Sequence, residues 1–228
     1  MHVGSIYRMH WFVTTFLMQP QYADHVMSIL DIGSYDVNGS YKQLFPESLF
    51  SYTGLDMERG PNVDIVPANA YSWVEVPDKS YDVVICGQVF EHAEFFWVTM
   101  SEMVRVLKNG GLLCIIAPRT IVLHRFPVDC YRFNVDGLIA LAKYTNMDVI
   151  HASCDSAPPG SSSDWYDPTC RDSLLIAMKP LDWEGTVNID DYIFTKNDLE
   201  TLKTGFITRD EFITEMNNYN KELERKLD

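Results

Sequence analysis

Glycine and carboxylate residues follow a short apolar run early in the chain, where a sheet would place ligand-binding groups. The run ends in the segment Asp31-Ile32-Gly33-Ser34-Tyr35, with Gly39 shortly after it. A glycine directly after a strand lets the backbone turn without a Cβ clash and approach a ligand closely. A GxGxxG dinucleotide loop would need glycine where Tyr35 stands, and no lysine follows as in a Walker A loop. The segment predicts either a cofactor loop of another kind or an ordinary strand-to-helix turn.

An acidic residue at the end of the next apolar run favours the cofactor loop. Asp56 follows Tyr52-Thr53-Gly54-Leu55. In Rossmann-like folds, a carboxylate about twenty residues after the glycine loop accepts hydrogen bonds from a ribose diol. Asp56 alone would be read as a turn or a helix cap, but with the Gly33 loop it predicts adenosine binding.

The clearest buried strand is predicted at residues 81–87, where β-branched residues cluster before a glycine. Residues 91–108 have helical spacing of apolar residues, and Asn109-Gly110 predicts the helix C-cap. Residues 111–118 predict the next strand, ended by Pro118. Val63 to Val66 alternates as a further strand would, and Asn134 predicts the start of a helix reaching about Tyr144. Strands alternating with helices indicate a mostly parallel, doubly wound sheet.

These segments, in this order and at this spacing, resemble class I S-adenosylmethionine (SAM)-dependent methyltransferases. The most similar group has a Glu-His pair after its fourth strand, here Glu91-His92, and a Leu-Lys-x-Gly-Gly segment, here residues 107–111. The resemblance covers residues 26–180. It implies a Rossmann-like sheet of seven strands, the last of them (173–180) antiparallel, with SAM as the cofactor. Through residues 124–129 the chain is also similar to methyltransferases associated with cell-surface glycans or secondary metabolites.

The resemblance implies roles for individual residues. Asp31, Gly33 and Gly39 match the family's first motif, and Asn69-Ala70 falls where the family contacts adenine. The usual Gly-x-Gly is Gly33-Ser34-Tyr35 here, so Tyr35 and Asp36 must shape the methionine end of the site differently. The full set of expected cofactor-binding residues is Asp31, Gly33, Ser34, Tyr35, Gly39, Asp56, Met57, Asn69, Ala70, Gly87 and Gln88.

An acceptor site is predicted after the strand that ends near Pro118. Residues 119–133 concentrate three arginines and a histidine in an otherwise acidic chain. Arginine forks suit carboxylate or phosphate, and aromatic rings can line a flat acceptor. The expected substrate-binding residues are Arg119, His124, Arg125, Tyr131 and Arg132. Alternatively, Arg125 pairs with Asp129 and the segment is structural.

A hydroxyl acceptor benefits from a general base, and histidine suits that role near neutral pH. The candidate catalytic residues are His124, His92 and Asp129, although His92 could instead orient the following helix. Hard-oxygen metal ligands occur at Asp129, Asp155, Asp164 and Asp167. Their spacing marks no site, so no metal is predicted.

Composition sets the domain organisation and the expected partners. The 228 residues predict a helical N-terminal segment (1–25), a SAM-binding domain (26–180) and an acidic C-terminal extension (181–228). The extension contains a capping box at 208–211 and an amphipathic helix, which packs on its own domain or forms a homodimer. The Pro-, Gly- and Ser-rich stretch 156–163 predicts a lid, a binding loop or disorder.

The net charge of −14 argues against nucleic-acid and membrane-surface partners. No apolar run is long enough for a membrane span, and five irregularly spaced cysteines favour reduced thiols and a cytoplasmic protein. The favoured hypothesis is methyl transfer from SAM to a hydroxyl or amine of a small, sugar-containing or anionic metabolite. The alternatives are a protein or RNA methyltransferase, and a catalytically silent scaffold with the same fold. An NAD-dependent oxidoreductase is disfavoured by the missing GxGxxG.

Overall fold

A computed structural model describes residues 2–22, 25–154 and 171–187, together with Thr214. Its sheet has six strands in the order β2-β1-β3-β4-β6-β5. Their bounds are β1 Met27–Ile32, β2 Phe50–Leu55, β3 Tyr81–Gly87, β4 Leu107–Thr120, β5 Asp148–Cys154 and β6 Arg171–Met178. Strands β1 to β4 pair in parallel, and β6 is antiparallel to both β4 and β5. The predicted doubly wound sheet with an antiparallel last strand is confirmed.

The prediction of a third strand at residues 63–66 is wrong, and the described residues form six strands instead of seven. Only Ile65 pairs, in an isolated parallel bridge with Leu55. The Asp64 carboxylate accepts the Gly54 N–H at 2.8 Å. The Asp64 side chain therefore uses the Gly54 N–H, a backbone donor that a longer run of strand pairing would need.

Three α-helices accompany the sheet within the described ranges: α1 Val3–Phe12, α2 Phe96–Val106 and α3 Val135–Tyr144. A π-helical turn, Val13–Leu17, continues α1. The prediction for α3 is confirmed, with Asn134 at its N-cap.

Helix α2 is shorter than the predicted range 91–108, and the predicted C-cap is wrong. Leu107 already pairs with Tyr81 of β3, and the Gly110 N–H donates to the Lys179 carbonyl at 2.7 Å. Pro118 does not end β4 as predicted, because the pairing shifts register next to it and continues to Thr120. A proline inside a sheet is tolerated at such a bulge.

Side chains of the central strands point alternately to the two faces of the sheet, so the core has two layers. Val84 and Cys86 of β3 face a cluster that includes α2 and α3, whereas Val83 and Ile85 face α1. Successive side chains of a strand point to opposite faces, so a strand covered on both sides reads as a continuous apolar run. Between β1 and β2 the only helical turn is the short 3₁₀ segment Lys42–Leu44. The N-terminal helix therefore covers this face of the sheet and comes close to its carboxyl edge.

The stretch 156–163, predicted as a lid, a binding loop or disorder, lies outside the described residues, as does the predicted C-terminal amphipathic helix apart from Thr214. The three-part division of the chain stays a prediction. Within the described residues, no helix is long and apolar enough to cross a membrane.

Candidate active site

The loop after β1 is held close to the turn after β3. Gly33 has φ +73°, and a Cβ added to it would lie 2.1 Å from Cγ2 of Val89. The N–H groups of Gly33 and Ser34 donate to the Leu55 carbonyl at 2.8 and 3.2 Å. Glycine is required here both for the left-handed backbone and for the close approach.

Asp56 organises the same loop from the end of β2. Its Oδ2 accepts the Tyr35 N–H at 3.0 Å, and its Oδ1 accepts the Glu58 N–H at 3.4 Å. A carboxylate has about four acceptor positions, so positions remain for the two hydroxyls of a ribose. The Tyr35 ring packs against Gly60, where a Cβ would approach it to 2.1 Å. Tyr35 therefore occupies the space that Gly60 leaves.

Unpartnered polar atoms line this part of the site. Ser34 is buried, and its hydroxyl has no hydrogen-bond partner among the described residues. Asn62 Nδ2 donates to the Ser34 carbonyl at 3.1 Å, but its Oδ1 is buried and unpartnered within the same described ranges. Gly39, with φ +125°, has open space where a Cβ would be. Next to it, an open cavity of about 540 Å³ is lined by Asp36, Gly39, Ser40, Lys42, Gln43 and Asn62.

Asp31 lies buried near the end of β1. Its carboxylate accepts a hydrogen bond from the Tyr52 hydroxyl. Burial raises the pKa of Asp31 to about 7, despite the opposing effect of that hydrogen bond. Asp31 is therefore an acceptor whose charge would be stabilised by a cationic ligand group.

The N-terminal helix closes one side of this region through polar contacts. Gln88, with φ +61°, donates from Nε2 to Asp172 Oδ1 at 3.1 Å. The same buried Asp172 pairs with His2 at 3.0 Å and lies 3.6 Å from Arg8. The Ser5 hydroxyl hydrogen-bonds the Tyr41 hydroxyl at 2.5 Å. The sequence analysis missed this network, because its members are far apart in the chain.

The remaining residues predicted to bind the cofactor lie outside the loop after β1. They are Gly87, Met57, Asn69 and Ala70. A Cβ on Gly87 would lie 2.1 Å from the Tyr41 hydroxyl, so this glycine is required for packing. Met57 is 57% exposed. Asn69 accepts the Tyr71 N–H, and the Ala70 carbonyl accepts the Trp73 indole N–H. Asn69 and Ala70 thus have structural hydrogen bonds of their own.

The turn after β3 brings the two candidate histidines together. The ring centroids of His92 and His124 are 5.0 Å apart, nearly perpendicular to each other. His92 Nδ1 donates to the Val128 carbonyl at 2.5 Å, and its Nε2 lies 3.6 Å from Glu91 Oε1. Burial lowers the pKa of His92. A neutral His92 with its proton on Nδ1 presents a lone pair on Nε2, which suits a base or a ligand.

Glu91 is the residue that the sequence analysis missed here. Its side chain is fully buried, and neither carboxylate oxygen has a hydrogen-bond partner among the described residues. Burial raises its pKa to about 8. A glutamate in the turn after a buried strand, just before a histidine, was a visible signal, but its burial depends on the loop that covers it.

That loop, residues 119–133, is tied to the turn by backbone hydrogen bonds. The Cys130 and Tyr131 N–H groups donate to the Glu91 carbonyl at 2.6 and 3.3 Å. Asp129 accepts two hydrogen bonds from Arg132, at 2.5 and 2.8 Å, and one from the His124 N–H at 2.8 Å. The Arg132 guanidinium holds the pKa of Asp129 far below its usual range. The alternative ion pair of Arg125 with Asp129 is wrong, because Arg132 occupies the carboxylate.

The other predicted acceptor residues are spread over the loop. Arg119 Nε donates to Asn134 Oδ1 at 3.1 Å, and the Tyr131 hydroxyl donates to the Glu94 carbonyl at 2.9 Å. Arg125 is exposed. Tyr131 and Arg132 thus have structural contacts, whereas His124 lies beside His92.

The loop after β1 fits an adenosyl sulfonium cofactor on three observations. The left-handed Gly33 gives close backbone approach, the buried Ser34 hydroxyl lacks a partner within the described ranges, and Asp56 keeps acceptor capacity at the end of β2. A buried polar group without a partner is costly, so a ligand that binds it is stabilised.

Comparison with known proteins agrees with this assignment. Residues 30–115 match the sequence profile of a family described as "Methyltransferase domain". No curated protein shows significant sequence similarity to the chain.

Solved structures share the fold at low identity. The Burkholderia thailandensis 1,6-didemethyltoxoflavin-N1-methyltransferase, with S-adenosylhomocysteine bound, has 12% identity and a TM-score of 0.57 over 77% of this chain and 78% of that one. A SAM-dependent methyltransferase from Archaeoglobus fulgidus has 15% identity and a TM-score of 0.53 over 77% and 95%. The cyclase SpnF has 14% identity and a TM-score of 0.57 over 77% and 82%.

The fold is that of class I methyltransferases. Residues 30–115 are similar to a methyltransferase domain, and the structures that share this fold include SAM-dependent methyltransferases.

Proposed function

We propose that the protein transfers a methyl group from SAM to a hydroxyl or amine of a small, sugar-containing or anionic metabolite. The observation that carries the proposal is the pair His92 and His124, whose rings lie 5.0 Å apart where the turn after β3 meets the loop after β4. In doubly wound sheets, ligands bind at the carboxyl ends of the strands.

The cofactor would be held by the loop after β1 and by the end of β2. Asp56 would accept hydrogen bonds from the ribose, and the buried Ser34 hydroxyl would gain a partner. Asp31 would carry its negative charge more readily beside a cationic amino group, since burial raises its pKa. When bound, SAM supplies an activated methyl group on a sulfonium.

The acceptor would be oriented by the loop after β4. Because the donor is already activated, alignment can provide much of the rate. A proton from a hydroxyl acceptor would pass to His92 or His124. Arg119 at the end of β4 and Arg125 on the following loop, neither of which pairs with Asp129, would attract an anionic acceptor.

The cysteines favour a cytoplasmic setting for the proposed enzyme. Among the described residues, Cys86, Cys114, Cys130 and Cys154 form no disulfide. Disulfides are rare in reducing compartments.

Methylation of a protein is a second candidate, favoured by one observation. Val122, Leu123 and Phe126, beside His124, are 80%, 64% and 61% exposed. Exposed apolar patches often mark interaction surfaces.

Calorimetric titration with SAM, S-adenosylhomocysteine and NAD tests the cofactor assignment. We expect micromolar binding of both sulfur compounds and none of NAD. Asp56→Ala should weaken binding by about ten- to a hundredfold, because hydrogen bonds to a charged group contribute about 1.5–3 kcal/mol. Glu47→Ala, an exposed acid elsewhere, is the matched control. If wild type binds neither sulfur compound, the methyltransferase proposal fails and a silent scaffold takes its place.

A further inference from the structure

The turn after β3 and the loop after β4 bring three metal-ligating side chains together. Glu91, His92 and His124 each present a ligand atom, and these atoms all lie within 4.8 Å of one another. No metal was predicted from the sequence, because the aspartates that could bind one have no spacing that marks a site. Two of the three ligands are adjacent, and the third arrives only when the loop folds back.

The carboxylate of the cluster, Glu91, lacks a hydrogen-bond donor among the described residues. Glu91 is fully buried, and both its oxygens lack a hydrogen-bond partner among the described residues. A buried carboxylate without partners is normally protonated, paired or bound to a metal. Arg132 does not serve as that partner, because its guanidinium makes two hydrogen bonds to Asp129.

Both histidines are oriented as metal ligands usually are. Such histidines typically donate one ring N–H to a carbonyl or carboxylate, which fixes the tautomer and leaves the other nitrogen for the metal. His92 Nδ1 donates to the Val128 carbonyl at 2.5 Å. His124 Nδ1 lies 3.2 Å from the Val122 carbonyl and 3.5 Å from Asp129 Oδ2. Nε2 of each ring is therefore the available nitrogen.

The spacing of the ligand atoms suits a small divalent ion. His92 Nε2 and Glu91 Oε1 are 3.6 Å apart. Two ligands of a tetrahedral Zn²⁺ lie roughly 3.4 Å apart when each bond is about 2.1 Å. The third ligand, His124, is 38% exposed and comes from the loop, so it can complete the set with a small movement.

We propose that Glu91, His92 and His124 form a binding site for a divalent transition-metal ion, with Zn²⁺ as the best match. Two histidines and a carboxylate are nitrogen and oxygen ligands that suit Zn²⁺ better than Mg²⁺, which prefers oxygen alone. Three protein ligands leave a coordination position open, as in catalytic rather than structural zinc sites.

The open position would take an oxygen of the methyl acceptor, either a hydroxyl or a carboxylate. This part of the inference rests on the proposed function, and metal binding by itself does not. Coordination of the acceptor by the metal would restrict the possible acceptors to molecules with an oxygen ligand close to the methylated atom. His92 and His124 would then hold the metal, and the metal would lower the pKa of a bound hydroxyl so that its proton passes to solvent water before methyl transfer.

Zinc titration of the chelator-treated full-length protein tests the site. We expect one Zn²⁺ to bind per chain, Glu91→Gln and His124→Gln each to weaken it at least tenfold, and excess Mg²⁺ not to compete. His10→Gln, at an exposed histidine of α1, is the matched control and should bind within twofold of wild type. Equal Zn²⁺ affinity in the control and both site variants would overturn the proposal, as would no binding by wild type.

Two further measurements distinguish metal binding at these three residues from metal binding at cysteines. Co²⁺ in the same site should give visible bands without intense thiolate charge transfer, whereas strong charge transfer would place the metal at cysteines and overturn the proposal. Zn²⁺ should raise the thermal midpoint of wild type and His10→Gln but not of His124→Gln, whose surface position makes misfolding a small risk.

SAM titration of the metal-free protein separates the two proposals. Binding of SAM without Zn²⁺ binding would refute only the metal site. Binding of Zn²⁺ without SAM would refute the methyltransferase proposal and leave the metal site in place.

Discussion

Replacing Gly33 by alanine tests whether the loop after β1 is held against the turn after β3 as the structure describes. The new Cβ would lie 2.1 Å from Cγ2 of Val89, at a backbone φ of +73°. The left-handed conformation costs an alanine about 1–2 kcal/mol. Overpacking against Val89 adds about 1–3 kcal/mol. We therefore expect Gly33→Ala to reduce the free energy of unfolding by about 2–5 kcal/mol.

Other glycines of the chain separate the two contributions. Gly39 has φ +125° but open space around a Cβ, so Gly39→Ala should carry only a conformational cost of about 1–3 kcal/mol. Gly137 lies in α3 with open space and no positive φ. Gly137→Ala should stabilise the protein by up to about 1 kcal/mol, because alanine has the higher helix propensity.

Urea unfolding of a double-mutant cycle gives the decisive number. Val89→Ala removes the methyl groups that the new Cβ would meet, so the double variant should recover about 1–3 kcal/mol relative to the sum of the single variants. SAM affinity measured on the same proteins should fall with Gly33→Ala. If the two substitutions are additive within about 0.5 kcal/mol, Val89 does not pack on Gly33 and the site geometry is refuted.

Three further predictions concern buried charges. Burial lowers the pKa of His151 from 6.5 to about 4, so the neutral form is favoured in the folded state. The contribution of neutral His151 to the free energy of unfolding is complete above pH 6.5 and is lost as the pH falls to 4, by at most about 3 kcal/mol. In urea unfolding, His151→Gln should lack this part of the acid destabilisation. A pH profile identical to that of wild type would contradict the assignment. Arg132→Gln should cost about 3 kcal/mol by leaving Asp129 unpaired, and adding Asp129→Asn should recover part of it in the same assay, whereas no recovery would refute the pair. Burial lowers the pKa of Lys179 from 10.5 to about 8, so wild-type stability should gain a contribution as the pH rises from 8 to 10.5, and Lys179→Met should show no such gain in thermal unfolding.

Local sequence patterns predicted most of the sheet, because each strand is a short apolar run with its own boundary. Strand β3 and helix α3 were predicted at their observed positions. The errors fell where backbone groups pair with distant residues. Asn109-Gly110 has the composition of a helix C-cap, but Lys179 takes the Gly110 N–H and the segment belongs to β4.

The sequence predicted individual residues of the candidate site better than it predicted which of them lie together. Gly33 and Asp56 stood out because a glycine and a carboxylate, each directly after a strand, are the groups that a nucleoside site needs there. His92 and His124 were singled out as separate candidate bases, and only the fold shows that their rings lie 5.0 Å apart. The alternative in which Asp129 pairs with Arg125 was wrong, since spacing along a loop does not tell which arginine turns inward, and Arg132 makes the pair.

By itself, the sequence determined the fold class, the candidate cofactor loop and the resemblance to methyltransferases. These depend on local periodicity and on residues that act within one strand-loop unit. Tertiary structure alone decided which groups lose contact with water. The burial of Glu91 and Asp172 requires the loop after β4 and the N-terminal helix to pack over the edge of the sheet. Desolvation depends on everything that surrounds a side chain, so residues distant in the sequence set the chemistry of this site.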